Sequence, residues 1–227
     1  FELNLYKNDE LYQSFFPYNT KTDIARYENP LNPKRFTKTP IDTVVYYTRP
    51  MDNAVNKLTP HSLSKLVEFV FPMKNTIPAN FFTDTISQED RIKYLQDNPT
   101  FIVGLSGIRF IDNSWYFTIN DNQWRRRSNS NLKYELKTGQ LFSFDKCSPD
   151  SSSYFLPIFD YPFSSNGFIA EDEHFLYNHI SSLRMFSEME RAKDKNPNYN
   201  DVLKTYFAKG NQKDNPVIVQ LKPKASQ

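Results

Sequence analysis

The chain has 227 residues and a mass of 26.8 kDa, with 28 Lys+Arg against 26 Asp+Glu and a formal net charge of +2. That balance weakens a nucleic-acid-binding reading, and a content of 16% aromatic residues excludes a disordered chain. A lone Cys147 excludes an internal disulfide and a paired-cysteine zinc site. Five glycines exclude collagen-like chains, and the apolar run Phe101–Leu105 is far short of the roughly 18–20 residues of a spanning helix.

Residues 1–40 are rich in Tyr, Phe, Asn and Pro without a sustained period. They predict an extended aromatic and Pro-rich arm that docks on a partner, with Phe15, Phe16 and Tyr18 as its interaction candidates. Residues 43–48 (TVVYYT) predict a strand closed by Arg49-Pro50. Thr59 followed by Pro60 reads as an N-cap and first helical position, and Leu63, Leu66, Val67 and Val70 recur at helical spacing up to Pro72. A second helix is expected after Ser87, whose spacing to Asp90 resembles a capping box, with Asn98-Pro99 ending it.

The centre reads as β. Residues 101–111 and 114–120 flank Asp112-Asn113, a pair suited to a type I′ hairpin turn, in a register that pairs Phe110 with Trp115 and Ile108 with Phe117. Residues 132–136 and 141–144 predict a second hairpin around Gly139, and 154–161 an aromatic strand or loop broken by Pro157. The longest predicted helix covers 170–193, with Leu176, Ile180 and Leu183 on one stripe, acidic residues 171–173 in its first turn and Arg191 and Lys193 near its end. A last helix runs from Asn200 to Lys209 before Gly210, and Pro216–Leu221 predicts an edge strand.

Few residues announce chemistry. His179 falls on the apolar stripe of the predicted long helix and reads as a core histidine. Glu171-x-x-His174 has metal-ligand spacing but no second pair of the kind that carboxylate-bridged sites need, so no metal or cofactor is expected. Ser106 sits in Gly-Leu-Ser-Gly inside a strand, not at a nucleophile elbow, and Cys147 lies in a polar loop beside Lys146. No catalytic residue is therefore assigned. Trp124-Arg125-Arg126-Arg127 is the one concentrated charge feature, supported by Lys133 and Lys137. A solvated hairpin tip or a contact with an acidic protein partner is expected over nucleic acid, with contact to anionic lipid headgroups as a further alternative.

The run Leu105, Ile108, Phe110, Trp115, Ile119, Asn120 resembles a short Trp-bearing β-hairpin pattern in accessory proteins of bacterial pilus-assembly and secretion machines, with Asp121 in place of that pattern's glycine. The resemblance covers about 17 residues and implies a structural role in an envelope assembly, with other protein subunits as partners.

The expected fold is α+β: a small antiparallel sheet packed against one long helix and two or three shorter ones. The expected layout is a single domain over 41–221, the extended arm over 1–40 before it and a mobile tail over 222–227. The expected function is a non-enzymatic structural or protein-interaction component of a bacterial cell-envelope assembly. Two alternatives stand beside it. One is an enzyme with an aromatic-lined cleft for a glycan-type substrate, and the other is a nucleic-acid or anionic-membrane binder acting through 124–127. A chain that opens at Phe1 is expected to be a processed or truncated product, which with one unpaired cysteine suits a bacterial periplasm or, as the alternative, cytoplasm.

Overall fold

The computed structural model describes residues 3–19, 36–82, 86–121, 130–160 and 167–223. Among them the chain is mostly β. Thirteen strands form four sheets, ordered β1-β2, β3-β4-β5-β6, β10-β9-β8-β7 and β11-β12-β13. Three short helices accompany them: α1 (Gln88–Asp97), α2 (Ser182–Arg191) and α3 (Asp201–Lys209). The expected α+β architecture built on one long helix is therefore overturned. The chain divides into two compact units, residues 1–108 with 118–129, and residues 109–117 with 130–227.

The first unit begins with a hairpin instead of an extended arm. β1 (Leu3–Lys7) pairs antiparallel with β2 (Glu10–Phe15) across Asn8 and Asp9, both with positive φ (52° and 64°). Asn and Asp tolerate that conformation, which gives the turn a twist that matches the strands. The aromatic content of the segment is partly core. Leu3 is buried with Tyr47 and Leu58, and Leu5, Phe15, Phe16 and Leu63 pack around them. β3 (Phe36–Lys38), β4 (Val45–Thr48), β5 (Ala54–Leu58) and β6 (Leu63–Glu68) form an antiparallel sheet. A second cluster joins Met51, Phe81 and Val103.

β6 occupies the segment expected to be helical. Thr59 does not cap a helix. Its Oγ1 accepts from the amides of His61 and Ser62, which closes the β5–β6 turn. The same side-chain chemistry serves a turn and an N-cap, so the local signal was ambiguous. Pairing continues Asn56 with Lys65 and Val55 with Val67, which leaves Leu66 as a bulge. The bulge shifts the phase of alternation, and that shift produced an apparent helical spacing.

The long central hairpin is as expected. β7 (Ile102–Ile111) and β8 (Ser114–Asp121) turn at Asp112 and Asn113, with φ of 47° and 56°, and the Phe110 and Trp115 rings stand 4.7 Å apart. β9 (Ser130–Glu135) and β10 (Leu141–Ser143) form the second hairpin, with Gly139 at φ +69° where a side chain would be strained.

In the second unit the predicted 170–193 helix is three elements. β11 (Ala170–Glu171) and β12 (Leu176–Ile180) form a hairpin whose turn is held by the Asp172 carboxylate, which accepts from the amides of His174 and Phe175. Helix α2 starts only after Ser181, whose Oγ accepts from the Arg184 amide. Leu176, Asn178 and Ile180 alternate inward on β12, paired with Leu221, Val219 and Val217 of β13 (Val217–Leu221). Period-two burial thus won over a spacing that fits a helix equally well. The other termini are as expected: Ser87 caps α1 and Asn200 caps α3, each accepting from the amide three residues on.

Ile180 is fully buried with Leu156 and Met185 beneath the aromatic residues of α3. Ile180→Ala should cost about 2–5 kcal/mol through the cavity left behind. Urea unfolding followed by circular dichroism checks this, and a cost below about 1 kcal/mol would contradict the packing.

Candidate functional site

A groove in the first unit is a candidate site among the described residues. Three local turns build it. The Asn8-Asp9 turn of β1–β2 presents Tyr6, Lys7 and Tyr12. The segment before β4 presents Asp42 and Thr43 and is closed by Thr39, whose Oγ1 donates toward the Val44 carbonyl while the Val44 amide donates to the Ile41 carbonyl. The β5–β6 turn presents Thr59, Pro60 and His61. Leu5, Val45 and Leu58 supply an apolar lining, and the groove encloses about 520 Å³. That volume is in the roughly 300–1,000 Å³ range of small-ligand sites.

The tyrosines owe their position to a strand irregularity. Leu5 pairs with Gln13 and Tyr6 with Leu11, so Tyr12 is the extra residue of a β-bulge. A bulge bends the strand and re-aims a side chain, here into the groove that Tyr6 also lines. Both rings keep much of their surface in solvent, 64% for Tyr6 and 51% for Tyr12. Among the described residues the charged lining is one cation, Lys7, and one carboxylate, Asp42. Tyr6, Tyr12, Asp42 and His61 are absent from the sequence-based candidates. The available signal was Asn8-Asp9 between two apolar-alternating segments, a hairpin turn that Pro-rich surroundings concealed.

The expected interaction residues separate. Phe15 and Phe16 are half-buried in the first unit's core, where the Phe16 ring stands 5.7 Å from Tyr47 with the Arg49 guanidinium 4.5 Å over it. Tyr18 is 39% exposed beyond the end of β2. Trp124, Arg125, Arg126 and Arg127 lie outside the described residues. His179 is on β12 opposite Ile218, not on a helix stripe. Ser106 exchanges hydrogen bonds with Asn120, and Cys147 is exposed. Among the described residues no three His, Cys, Asp or Glu side chains gather as a metal site.

Among the described residues one buried ion pair is structural in character. Arg109 on β7 and Glu171 on β11 form a buried ion pair, Nε to Oε2 2.5 Å, with the side chains 11% and 3% exposed. The guanidinium also donates to the Ile169 carbonyl at 3.0 Å. Glu171 Oε1 accepts no hydrogen bond among the described residues. Burial pushes the Glu171 carboxyl up to about 7, opposed by the charge of Arg109. A folded-state value above the ordinary one means that folding takes up a proton. The associated stability is fully present below about 4.5 and is lost as pH rises through about 7. Glu171→Gln should therefore flatten the fall in urea midpoint across that window relative to the parent chain. Identical pH profiles for the two proteins would refute the assignment.

No protein-family model matches the chain, and no curated protein matches it. Among solved structures it is similar to a protein from Bacteroides fragilis NCTC 9343 described as a "putative exported protein", at 11% sequence identity and a TM-score of 0.48. The similarity covers 84% of this chain and 49% of that one, so the chain spans about half the length of that neighbour.

Proposed function

We propose that this chain is a non-enzymatic interaction component that acts by binding through the groove of its first unit. The observation that carries the reading is a pair of solvent-exposed tyrosines, Tyr6 and Tyr12, that line one groove with the apolar Leu5, Val45 and Leu58 and with polar groups. Exposed aromatics with polar neighbours are the anchors of recognition surfaces, because a rigid ring buries much area at little entropic cost. The groove is set in advance by hydrogen-bonded turns, so little ordering remains to be done on binding. A place in a bacterial cell-envelope assembly belongs to this reading and is supported by the Trp-bearing hairpin resemblance at Leu105–Asn120.

A photo-crosslinking amino acid at Tyr6 or Tyr12, in cells expressing the natural gene, tests it. The groove positions should give a discrete crosslinked species, and a probe at Val202, which is 76% exposed on α3, should not. Equal labelling at all three positions, or turnover of a polysaccharide by the purified chain, would overturn the proposal.

A further inference from the structure

We infer that the groove of the first unit is a carbohydrate site that takes a neutral saccharide chain. This rests on reading the groove as a recognition surface and adds the chemistry of what it recognises. A sugar ring offers flat C–H faces and a rim of hydroxyls, each of which can both donate and accept. The groove has the matching parts. Tyr6 and Tyr12 supply broad exposed rings for the C–H faces, and Leu5, Val45 and Leu58 line the apolar part. The Lys7 ammonium donates, the Asp42 carboxylate accepts, and the Thr43 hydroxyl does either.

Charge balance selects among ligands. Among the described lining residues Lys7 and Asp42 cancel, which favours an uncharged ligand over a phosphate, an acidic peptide or a basic one. An uncharged, hydroxyl-rich ligand needs both donors and acceptors and no net field. Rigidity helps as well. Thr59 Oγ1 accepts two amides and stands 2.9 Å from the Ser62 hydroxyl, so the turn carrying His61 is fixed. The Tyr12 bulge belongs to the β1–β2 register, so its ring is placed by backbone pairing.

Titration of the full chain with neutral cello-, chito- and manno-oligosaccharides, by calorimetry and tyrosine fluorescence, tests the inference. At least one series should bind saturably. Tyr6→Ala and Tyr12→Ala should each weaken it at least tenfold, and Tyr12→Phe should retain most of it because the ring remains. Inorganic phosphate should not compete. Binding that survives both alanine variants would overturn the inference, since the sugar would then sit elsewhere. Phosphate competition would overturn it on charge. No saccharide binding, with a discrete protein still crosslinked from Tyr6, would remove the carbohydrate assignment and leave the groove as a protein-recognition surface. No saccharide binding and no crosslink would remove both. Unchanged thermal melting in the tyrosine variants, both altered at exposed side chains, separates lost binding from lost folding.

Discussion

Tight turns closed by residues other than glycine are the constraint on which this fold depends. With five glycines in 227 residues, the chain takes positive φ at Asn8, Asp9, Asp112, Asn113 and Asn196. Asn and Asp are the least costly substitutes, because their short side chains bond the local backbone. Two of these turns close hairpins: β1–β2, which contributes to the groove and to the Leu3–Tyr47–Leu58 cluster, and β7–β8, the longest strand pair. Where the φ > 0 residue is bulky, packing holds it. Tyr154 and Phe155 have φ of 53° and 58°, Tyr154 lies against the Tyr199 ring, and the Lys195 ammonium stands 4.8 Å over Phe155.

The groove follows from these turns. Each wall is a short local segment, but the three come from positions about 10, 40 and 60 in the chain; β4–β5 pairing joins the second and third, and side-chain packing of Leu3 and Leu5 against Tyr47 and Leu58 brings the β1–β2 hairpin to them. The two halves of its chemistry have separate origins. The apolar lining comes from strand residues at ordinary pairing positions, while the aromatic rim depends on one extra residue in β2. Each wall of such a groove is held locally by backbone bonds within its own sheet, and core packing holds the two sheets together. That favours recognition of a preformed ligand surface over closure around a flexible one.

The Arg109–Glu171 pair has a different role in the second unit. A carboxylate that buried costs several kcal/mol in desolvation, and the one cation beside it offsets only part of that cost, since burial still raises the carboxyl. The aromatic cluster of Ile111, Tyr116, Phe159, Phe168 and Leu176 is likewise in the second unit. The cation is anchored through the Ile169 carbonyl, so the two-residue strand β11 is tied to β7 by charge as well as to β12 by pairing. Specific ionic contacts of this kind fix register where a short strand alone would leave it loose.

The sequence by itself determined the features that local chemistry specifies. Asp112-Asn113 set the central hairpin, Gly139 the second one, and Ser87 and Asn200 the starts of α1 and α3, because a turn or a cap is decided by a few adjacent atoms. Tertiary structure alone decided whether residues 63–68 and 176–180 were strand or helix. Their apolar spacing satisfies both periods; pairing with β13 made the extended form the one that buries Leu176 and Ile180, while β6, half-buried at most, is held extended by its bulged pairing with β5. Tertiary structure alone also decided the groove. Tyr6, Tyr12, Asp42 and His61 are unremarkable in sequence, and they line one groove because a bulge and three turns place them there.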